Sequence, residues 1–254
     1  MKLLLPLLSC KLLFSGCDKD SEEIDWSPTL KIISVDGGSA DVFLTYDNNN
    51  LAASIFSNYF HPNEQAKEFF ITYYPSGKIK QLHTTDGYKI LTEYENEKLI
   101  RAFHYQDDVE QGYMDYLQMA ANELRTTYYE KVDQDKIPQY SIAFYSDNKG
   151  NIHEALRMEK TNVPNQLLRS ENSLFLYDEN HNPLYEHRDL LLLFNIVASP
   201  NNVLQEDRFD KLLQLIDRTK YSYQYNDYKF PISGTRTLTG PAPLSSPIQF
   251  VYKP

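Results

Sequence analysis

The residues of this sequence that could do chemistry are mainly acidic, histidine and tyrosine side chains, and none of them completes a known catalytic motif. His153-Glu154 begins like the zinc-binding pattern His-Glu-x-x-His, but Arg157 stands where the second histidine belongs. The chain has neither a Gly-x-Ser-x-Gly nucleophile turn nor a glycine-rich phosphate loop. Adjacent acids such as Asp107-Asp108 indicate nothing by themselves, because glycoside hydrolysis needs two carboxylates at a defined separation. We therefore assign no catalytic residue, and a hydrolase with unpaired acids stays an alternative.

One stretch of alternating oxygen-bearing side chains has the spacing of a calcium loop. Asp178, Asn180 and Asn182 alternate, and Asp189 falls at the twelfth position. Against this, Pro183 stands where such a loop needs glycine, and the flanking residues have the pattern of strands rather than helices. The six histidines are scattered, without a cysteine or a third histidine near any pair of them. These patterns favour a hairpin turn, and we predict neither a metal site nor a cofactor.

The N-terminus predicts a covalent modification at Cys17. A cation at Lys2 followed by a short apolar run and small residues is typical of a secretory signal, and the run is too short to span a bilayer. Phe14-Ser15-Gly16-Cys17 resembles a bacterial lipobox, which implies diacylation of Cys17 and cleavage before it. Cleavage before Cys10 would leave only about six apolar residues, fewer than a signal peptide needs. We predict that residues 1–16 are a lipoprotein signal peptide.

Residues 17–28 are predicted to form an acidic tether. Asp18-Lys19-Asp20-Ser21-Glu22-Glu23 has almost no apolar content, so it cannot pack against a core. Acids directly after a lipidated cysteine resemble the surface-export signal of lipoproteins in some Gram-negative gut bacteria. In enteric species Asp18 would instead resemble an inner-membrane retention signal. We expect a lipoprotein of the bacterial cell envelope, in the outer membrane, with exposure on the cell surface as a further option.

The charge balance restricts the partners. The chain has a formal net charge of −10, and loss of Lys2 and Lys11 with the leader would make it two charges more negative. Nucleic acid and anionic lipid both attract basic patches, so neither is an expected partner of the folded part. Contact with a membrane must therefore come from the N-terminal acyl chains, and stable anchoring needs more than one of them.

From Leu30 onward the sequence repeats one theme, in which an apolar, aromatic-ending run meets a short polar turn and a second alternating run follows. β-Branched and aromatic residues before Asn, Asp, Gly or Pro are typical of β-hairpins. The turns are expected at 47–50, 75–78, 95–98, 146–151, 178–182 and 226–229. The recurrence predicts a mainly β fold, an antiparallel meander of hairpin repeats in a single β-rich domain over residues 29–254.

The segment 186–219 departs from this theme. Apolar residues at 209, 212, 213 and 216 follow the i, i+3, i+4, i+7 spacing of a helix. We predict a minor helical element in this region, near the C-terminal third of the chain, packed on the sheet.

Two stretches carry a resemblance to a known family. Ser199-Pro200-Asn201-Asn202 and the tyrosine-rich run Tyr221–Pro231 look like the C-terminal half of a family of Gram-negative envelope lipoproteins. That family is built on a domain of unknown function with hairpins similar to tyrosine-aspartate repeats. The theme covers roughly residues 65–252 and the motif only the last 60 or so. This chain departs from the repeat by lacking glycine in the hairpins at Tyr94 and Tyr177. The resemblance implies no catalytic residues.

Tyrosine supplies the candidate ligand surface. The chain has 20 tyrosines, more than the hairpin ends require, and alternation in a strand places some of their rings on the outer face. Flat aromatic rings on a surface can stack on sugars or anchor a protein partner. The candidate ligand-binding residues are Tyr113, Tyr116, Tyr128 and Tyr129. We expect a non-enzymatic binding module for a glycan or a protein, with an envelope hydrolase or a structural assembly lipoprotein as alternatives.

Overall fold

The computed structural model describes residues 30–35, 42–47, 51–57, 67–132, 135–196, 198–239 and 243–252. The leader 1–16, Cys17 and the tether 17–28 lie outside the described residues, so their assignments stay predictions. In the described part of the chain, sixteen strands belong to one antiparallel sheet. The expectation of a mainly β meander is confirmed.

The strands follow one another at short intervals along the chain. In chain order they are β1 (Leu30–Val35), β2 (Val42–Tyr46), β3 (Ala52–Ser57), β4 (Lys67–Tyr73), β5 (Ile79–His83), β6 (Tyr88–Glu95), β7 (Lys98–Gln106), β8 (Val109–Ala120), β9 (Glu123–Val132), β10 (Asp135–Ser146), β11 (Ile152–Lys160), β12 (Leu167–His181), β13 (Asn201–Asp210), β14 (Leu215–Tyr225), β15 (Pro231–Thr239) and β16 (Leu244–Tyr252). Between β12 and β13 stand a 3-10 helix, Pro183–His187, and helix α1, Arg188–Leu192.

The topology is a continuous meander from β2 to β16, in which each strand pairs with the next. β1 is the exception, because it pairs with β16 at the far end of the chain, with Leu30 opposite Tyr252. β1 also lies beside β2. Successive antiparallel strands reverse direction, so the turns fall alternately at two ends of the sheet. We call them the Leu30 end, which contains Leu30 and the segment between β12 and β13, and the opposite end.

The core lies where the segment 182–200, here called the insertion, covers one face of the N-terminal strands. Strand β8 shows the cause: Met114 and Tyr116 are buried on that face, while Asp115 and Leu117 alternate to the other. The insertion adds a cluster of leucines over this apolar face. The buried cluster comprises Leu44, Ala52, Ile55, Phe69, Ile71, Ile79, Leu82, Ile90, Ala102, Met114 and Tyr116 of the sheet, with Leu190, Leu191 and Leu193 of the insertion. We call this side of the sheet the covered face.

Four hairpin turns use the same five-residue hydrogen-bonding pattern; they begin at Tyr74, Asp147, Asp210 and Asn226. In each turn the first N–H donates to the fifth carbonyl at 2.8–2.9 Å, and the fourth N–H donates to the first carbonyl. Where the first residue is Asp or Asn, its side-chain oxygen also accepts the N–H groups of the third and fifth residues. This is the physical reason that Asp and Asn recur at these turns.

The fourth residue of each of these turns has a positive φ, and it is not always glycine. The residues are Gly77 at 79°, Gly150 at 86°, Leu213 at 64° and Lys229 at 65°. Glycine adopts this region without a steric penalty, whereas an L-residue places its Cβ too close to the backbone. The Tyr94 hairpin, which lacks glycine, is closed instead by Asn96 and Glu97, both with positive φ.

Two expectations from the sequence are wrong in detail. A helical element does lie within 186–219, at Arg188–Leu192, but the residues 209–216 belong to the hairpin of β13 and β14. Their helical spacing arises because Leu212 and Leu213 occupy the exposed turn rather than a buried face. The turn expected at 178–182 is also absent, because β12 continues to His181 before the insertion begins.

Within the described part of the chain, no helix combines the length and the apolar character that are needed to cross a bilayer.

The repeated turn predicts opposite effects of glycine at two matched positions. Leu213→Gly removes an exposed L-residue from the left-handed region, so we expect a gain of about 0.5–1 kcal/mol in the free energy of unfolding. Gly77→Ala introduces a Cβ at the corresponding position, where no atom lies within 4 Å, and should cost about 1 kcal/mol through backbone strain alone. Denaturant unfolding of both variants checks this. Equal signs for the two changes would contradict the shared turn.

Candidate functional site

A network of polar side chains holds the two ends of the insertion at the Leu30 end of the sheet. The Asp178 carboxylate accepts the N–H of Asn180 at 2.9 Å, the N–H of Asn202 at 3.1 Å and the Tyr225 hydroxyl. Asn182 donates its amide to the Ser199 carbonyl at 2.8 Å. The insertion therefore leaves and re-enters the sheet through a closed set of hydrogen bonds, which we call the clasp.

The clasp explains the alternating oxygens that have the spacing of a calcium loop. Asn180 and Asn182 bond to neighbouring backbone and side-chain groups rather than converging with Asp178 on one point. Among the described residues, no group of three or more His, Cys, Asp or Glu side chains is placed to hold a metal ion. The motif Ser199-Pro200-Asn201-Asn202 has the same role, because Asn201 at the start of β13 exchanges hydrogen bonds of 3.0 and 3.1 Å with Asn151 in the turn before β11.

The middle of the insertion is fixed by apolar and polar contacts to the covered face. Leu191 is fully buried, and the Phe194 ring lies 5.1 Å from the ring of Phe69 on β4. Asn195 donates to the Tyr140 hydroxyl at 3.1 Å on β10. Its carbonyl oxygen accepts from the Thr126 hydroxyl at 3.3 Å on β9. The insertion thus reaches across at least seven strands and is held at both ends and at its centre.

A pocket of about 440 Å³ opens between the insertion and two hairpin turns at the Leu30 end. Ligand sites for small molecules typically have volumes of roughly 300–1000 Å³. The lining residues are Leu51, Ala52, Tyr73, Ser76, Gly77, Lys78, Ile79, Glu186, His187, Arg188, Asp189 and Leu190. The insertion therefore supplies one complete wall, and the turns after β2 and β4 supply the other.

The charged groups of this pocket are close to one another without being tightly paired. Lys78 Nζ lies 3.7 Å from Asp189 Oδ2, and Arg188 Nε lies 3.9 Å from Asp189 Oδ1. These distances are too long for hydrogen bonds, so the donors and the carboxylate keep bonding capacity. Glu186, which also lines the pocket, has no ion-pair or hydrogen-bond partner among the described residues. The pocket therefore presents two cations and two carboxylates to whatever enters it.

Neutral polar groups complete the wall. His187 Nε2 lies 2.9 Å from the Tyr46 hydroxyl, and burial lowers the pKa of the His187 imidazole below its usual value. The imidazole is therefore uncharged at neutral pH. The Tyr73 hydroxyl donates to the Ala52 carbonyl at 2.7 Å. Burial and the neighbouring Asp47 carboxylate raise the pKa of Tyr73 to about 12, so this tyrosine is a neutral side chain as well.

The structure places the four predicted tyrosines in two separate groups on opposite faces. On the outer face, the rings of Tyr113 and Tyr129 stack with centroids 4.9 Å apart. The Arg101 guanidinium and the Lys136 ammonium lie 4.6 and 4.5 Å from the Tyr113 ring centre. Tyr113 is only 6% exposed, because these neighbours cover it. Its ring is consequently not an open platform, and the ligand role of this pair stays a prediction.

Tyr116 and Tyr128 lie on the covered face. Tyr116 is 3% exposed, and its hydroxyl has no hydrogen-bond partner among the described residues. Tyr128 stacks on Tyr140 with centroids 5.6 Å apart and meets the His104 ring edge-on at 5.5 Å. These rings form part of the core beneath the insertion. Their predicted ligand role is not tested by this arrangement, but they have no open surface comparable to the pocket.

The sequence reasoning missed the pocket because its residues are far apart in the chain. Lys78 is a turn residue, and in the sequence Asp189 stands out only as the twelfth position of a calcium-loop spacing. Only the topology brings the turn after β4 beside the insertion. The one signal available was the interruption of the hairpin theme at 186, which indicated that the segment has a role different from that of the repeats.

No protein-family model matches this sequence, and neither does any curated protein. Among solved structures, the chain is similar to a porin-like protein from Bacteroides vulgatus ATCC 8482 with a TM-score of 0.47 and 12% identity, over 76% of this chain and 95% of that one. It is also similar to a porin-like protein from Bacteroides uniformis ATCC 8492 with a TM-score of 0.37 and 10% identity, over 88% and 94% of the two chains. Membership of the lipoprotein family with tyrosine-aspartate repeats stays a prediction.

Buried His104 gives the core beneath the insertion a dependence on pH. Burial lowers the pKa of its imidazole from 6.5 to about 4, and Nδ1 lies 2.5 Å from the Tyr88 hydroxyl. The unfolded chain binds the proton below about pH 6.5 and the folded chain only near pH 4. Stability from this group is therefore complete above pH 6.5 and decreases as the pH falls to 4. The loss amounts to about 3 kcal/mol, at 1.36 kcal/mol per pKa unit.

Unfolding free energies measured between pH 7 and pH 4 test this effect. His104→Gln should unfold with a shallower pH slope than the parent, whereas the exposed control His153→Gln should keep the parental slope. A parental slope in His104→Gln would show that this imidazole is not responsible.

Proposed function

We propose that the protein is a lipid-anchored, non-enzymatic binding module of the bacterial cell envelope that holds a saccharide in the pocket between the insertion and the hairpin turns. The observation that carries the proposal is that opposite charges lie beside each other in that pocket without a direct hydrogen bond. A sugar hydroxyl donates one hydrogen bond and accepts others, so it fits between an ammonium and a carboxylate that do not bond directly. Lys78 and Asp189 provide such a pair, 3.7 Å apart.

The remaining lining supports a saccharide over an ion. A small anion or cation would be opposed by one of the two charge types, because Arg188 and Lys78 stand beside Glu186 and Asp189. A neutral polyhydroxylated ligand satisfies both. The aromatic ring of Tyr73 and the apolar atoms of Ile79 and Leu190 supply the surface against which the carbon face of a sugar ring packs.

The two carboxylates of the pocket are open to solvent, because Glu186 is exposed and the Asp189 side chain is 42% exposed. A general acid in a glycosidase has a raised pKa, which comes from burial. Among the described carboxyl groups, Glu206 has a pKa raised by burial, and it lies on β13 beside Ser173 and Arg208, outside the pocket. Glu206 is therefore the residue at which we test the hydrolase alternative.

The anchor follows from the sequence and from the charge. A net charge of −10 gives the folded part little attraction for anionic lipid, so acyl chains on Cys17 would have to hold it at the membrane. Leu30, the first described residue, lies at the same end of the sheet as the pocket. An outer-membrane location, with or without exposure on the cell surface, belongs to the same proposal.

The anchor is tested by metabolic labelling of a producing bacterium with an alkynyl palmitate analogue. The wild-type protein should become labelled and remain in the membrane fraction, because the acylated cysteine is its attachment. Cys17→Ala should lose the label and accumulate as the precursor. Cys10→Ala is the matched control and should be labelled normally; labelling that depends on Cys10 instead would refute the assignment.

Saccharide binding is tested with the purified domain on a glycan array, followed by calorimetry with the strongest ligand. Asp189→Asn and Lys78→Met should each weaken binding by about tenfold or more, because each removes a charge-assisted hydrogen bond worth about 1.5–3 kcal/mol. Lys80→Met, on the next strand outside the pocket, is the control and should bind normally.

Three outcomes would count against the proposal. Binding unaffected by either pocket variant would exclude this pocket. Loss of binding in Tyr129→Ala alone would move the site to the outer tyrosines. Hydrolysis of a bound glycan that disappears in Glu206→Gln would establish the hydrolase.

A further inference from the structure

Exposed apolar side chains collect at the end of the sheet opposite the pocket. Two hairpins in this region, β11–β12 and β13–β14, carry six of them, each between 46% and 68% exposed: Val163, Leu168, Leu212, Leu213, Leu215 and Ile216. Strand β12, which carries Leu168, is the direct neighbour of β13, and neighbouring strands are about 4.8 Å apart. Leu168 lies three residues beyond the Glu171–Asp210 pair, level with the β13–β14 turn. The six side chains therefore lie along one end of the sheet, which we call the leucine rim. Leu168 is in register with Tyr140 of the covered face, through Glu159, whereas Leu215 is in register with Phe209 of the outer face.

The turn of the leucine rim differs from its three matched turns because two exposed apolar residues occupy its third and fourth positions. In the turn of the leucine rim the third and fourth residues are Leu212-Leu213. In the three matched turns they are Ser76-Gly77, Lys149-Gly150 and Tyr228-Lys229. Leu213 has φ of 64° and is 58% exposed. Neither the fold nor solubility benefits from a strained, exposed leucine at a hairpin tip. Because Lys229 has nearly the same φ at the matched position of another turn, the feature peculiar to this turn is its exposed apolar surface.

A polar cavity adjoins the leucine rim and adds charge to it. It has a volume of about 480 Å³ and lies between the start of β10 and the β11–β12 turn. Lys136 and Lys160 line it together with Asp135 and the amides of Asn162 and Asn165. Neither lysine has an ion-pair partner among the described residues. A carboxylate on an occupant that extends from the rim into this cavity would therefore be attracted by the two lysines.

The position of the chain terminus indicates which kind of occupant fits. Residues 1–29 join the sheet at Leu30, and β13 alone, with ten residues, separates the two ends by about 33 Å. If the lipid anchor of the proposed function holds the Leu30 end at the membrane, the leucine rim points away from that membrane. A protein, rather than the lipid surface, is then within reach of it.

We propose that the leucine rim and the adjoining cavity form a docking surface for a partner protein, which presents a segment with apolar side chains beside a carboxylate. The apolar side chains cover Leu212 and Leu213, and the carboxylate pairs with Lys160. The orientation in this argument rests on the proposed anchor, while the docking surface is independent of saccharide binding at the other end.

Site-specific photo-cross-linking of the full chain in the producing bacterium tests the proposal. A photoreactive residue replaces Leu212, and the matched control replaces Lys149, the equivalent position of a turn at the Leu30 end. We expect a discrete protein adduct from position 212 and none from position 149. Sequencing of the cross-linked peptide should show apolar residues beside Asp or Glu. Lys160→Glu should lower the yield at least fivefold, whereas Lys149→Glu should not change it.

Each other outcome overturns the proposal. An adduct with lipid would mean that the rim inserts into a membrane, and an adduct with a second copy would mean that it is a contact between identical chains. Absence of an adduct, a peptide without an acid, or a yield indifferent to Lys160→Glu would exclude the docking surface. Palmitate labelling and calorimetry with the saccharide, measured on the same variants, should be unchanged, so that failure here is distinguishable from failure of the proposed function.

Discussion

The burial of the insertion against the N-terminal strands is the interaction on which the rest of the structure depends. A meander of hairpins has one apolar face and no second sheet to cover it. Leu191 and its neighbours supply that cover, and each leucine that becomes fully buried contributes about 2–3 kcal/mol. The clasp around Asp178 holds the two ends of the segment together. The clasp therefore restricts the segment, so that less conformational entropy is lost when its leucines pack on the sheet. The pocket is a consequence, since its inner wall is the same segment.

The covered face changes character beyond the reach of the insertion. Where the leucines end, the sheet carries ion pairs: Arg208 bonds Asp217 on β14 and lies 3.7 Å from Glu171 on β12. Such charges would be costly beneath an apolar cover, so the extent of the insertion and the composition of the strands match each other. A substitution in β13 or β14 should therefore affect stability through the ion pairs and their solvation, and not through the leucine core. The two halves of the meander are therefore stabilised by different interactions.

The sequence predicts those features of the fold that interactions within a few residues determine, such as the hairpin turns. Asp147 and Asn226 were recognisable as turn residues, because an Asx side chain bonds the N–H groups of its own turn. The helix expected over 209–216 fails for the same reason, since Leu212 and Leu213 match a helical period while standing in such a turn. The pocket was beyond this reasoning, because Lys78 and Asp189 are 111 positions apart and meet only through the topology of the sheet.

Because the turns fall alternately at the two ends of the sheet, the pocket and the leucine rim lie at opposite ends of the strands. Every strand connects one end to the other, so the pocket at the Leu30 end and the leucine rim are joined by hydrogen-bonded strands. Strands β12 and β13 run from the clasp to the rim, paired from His181 with Asn201 down to Glu171 with Asp210, with shifts of register on either side of Tyr177. A paired strand can neither bend at a hinge nor slip in register unless a row of hydrogen bonds breaks. The sheet therefore acts as a rigid spacer, and occupancy of one end should leave the affinity of the other unchanged.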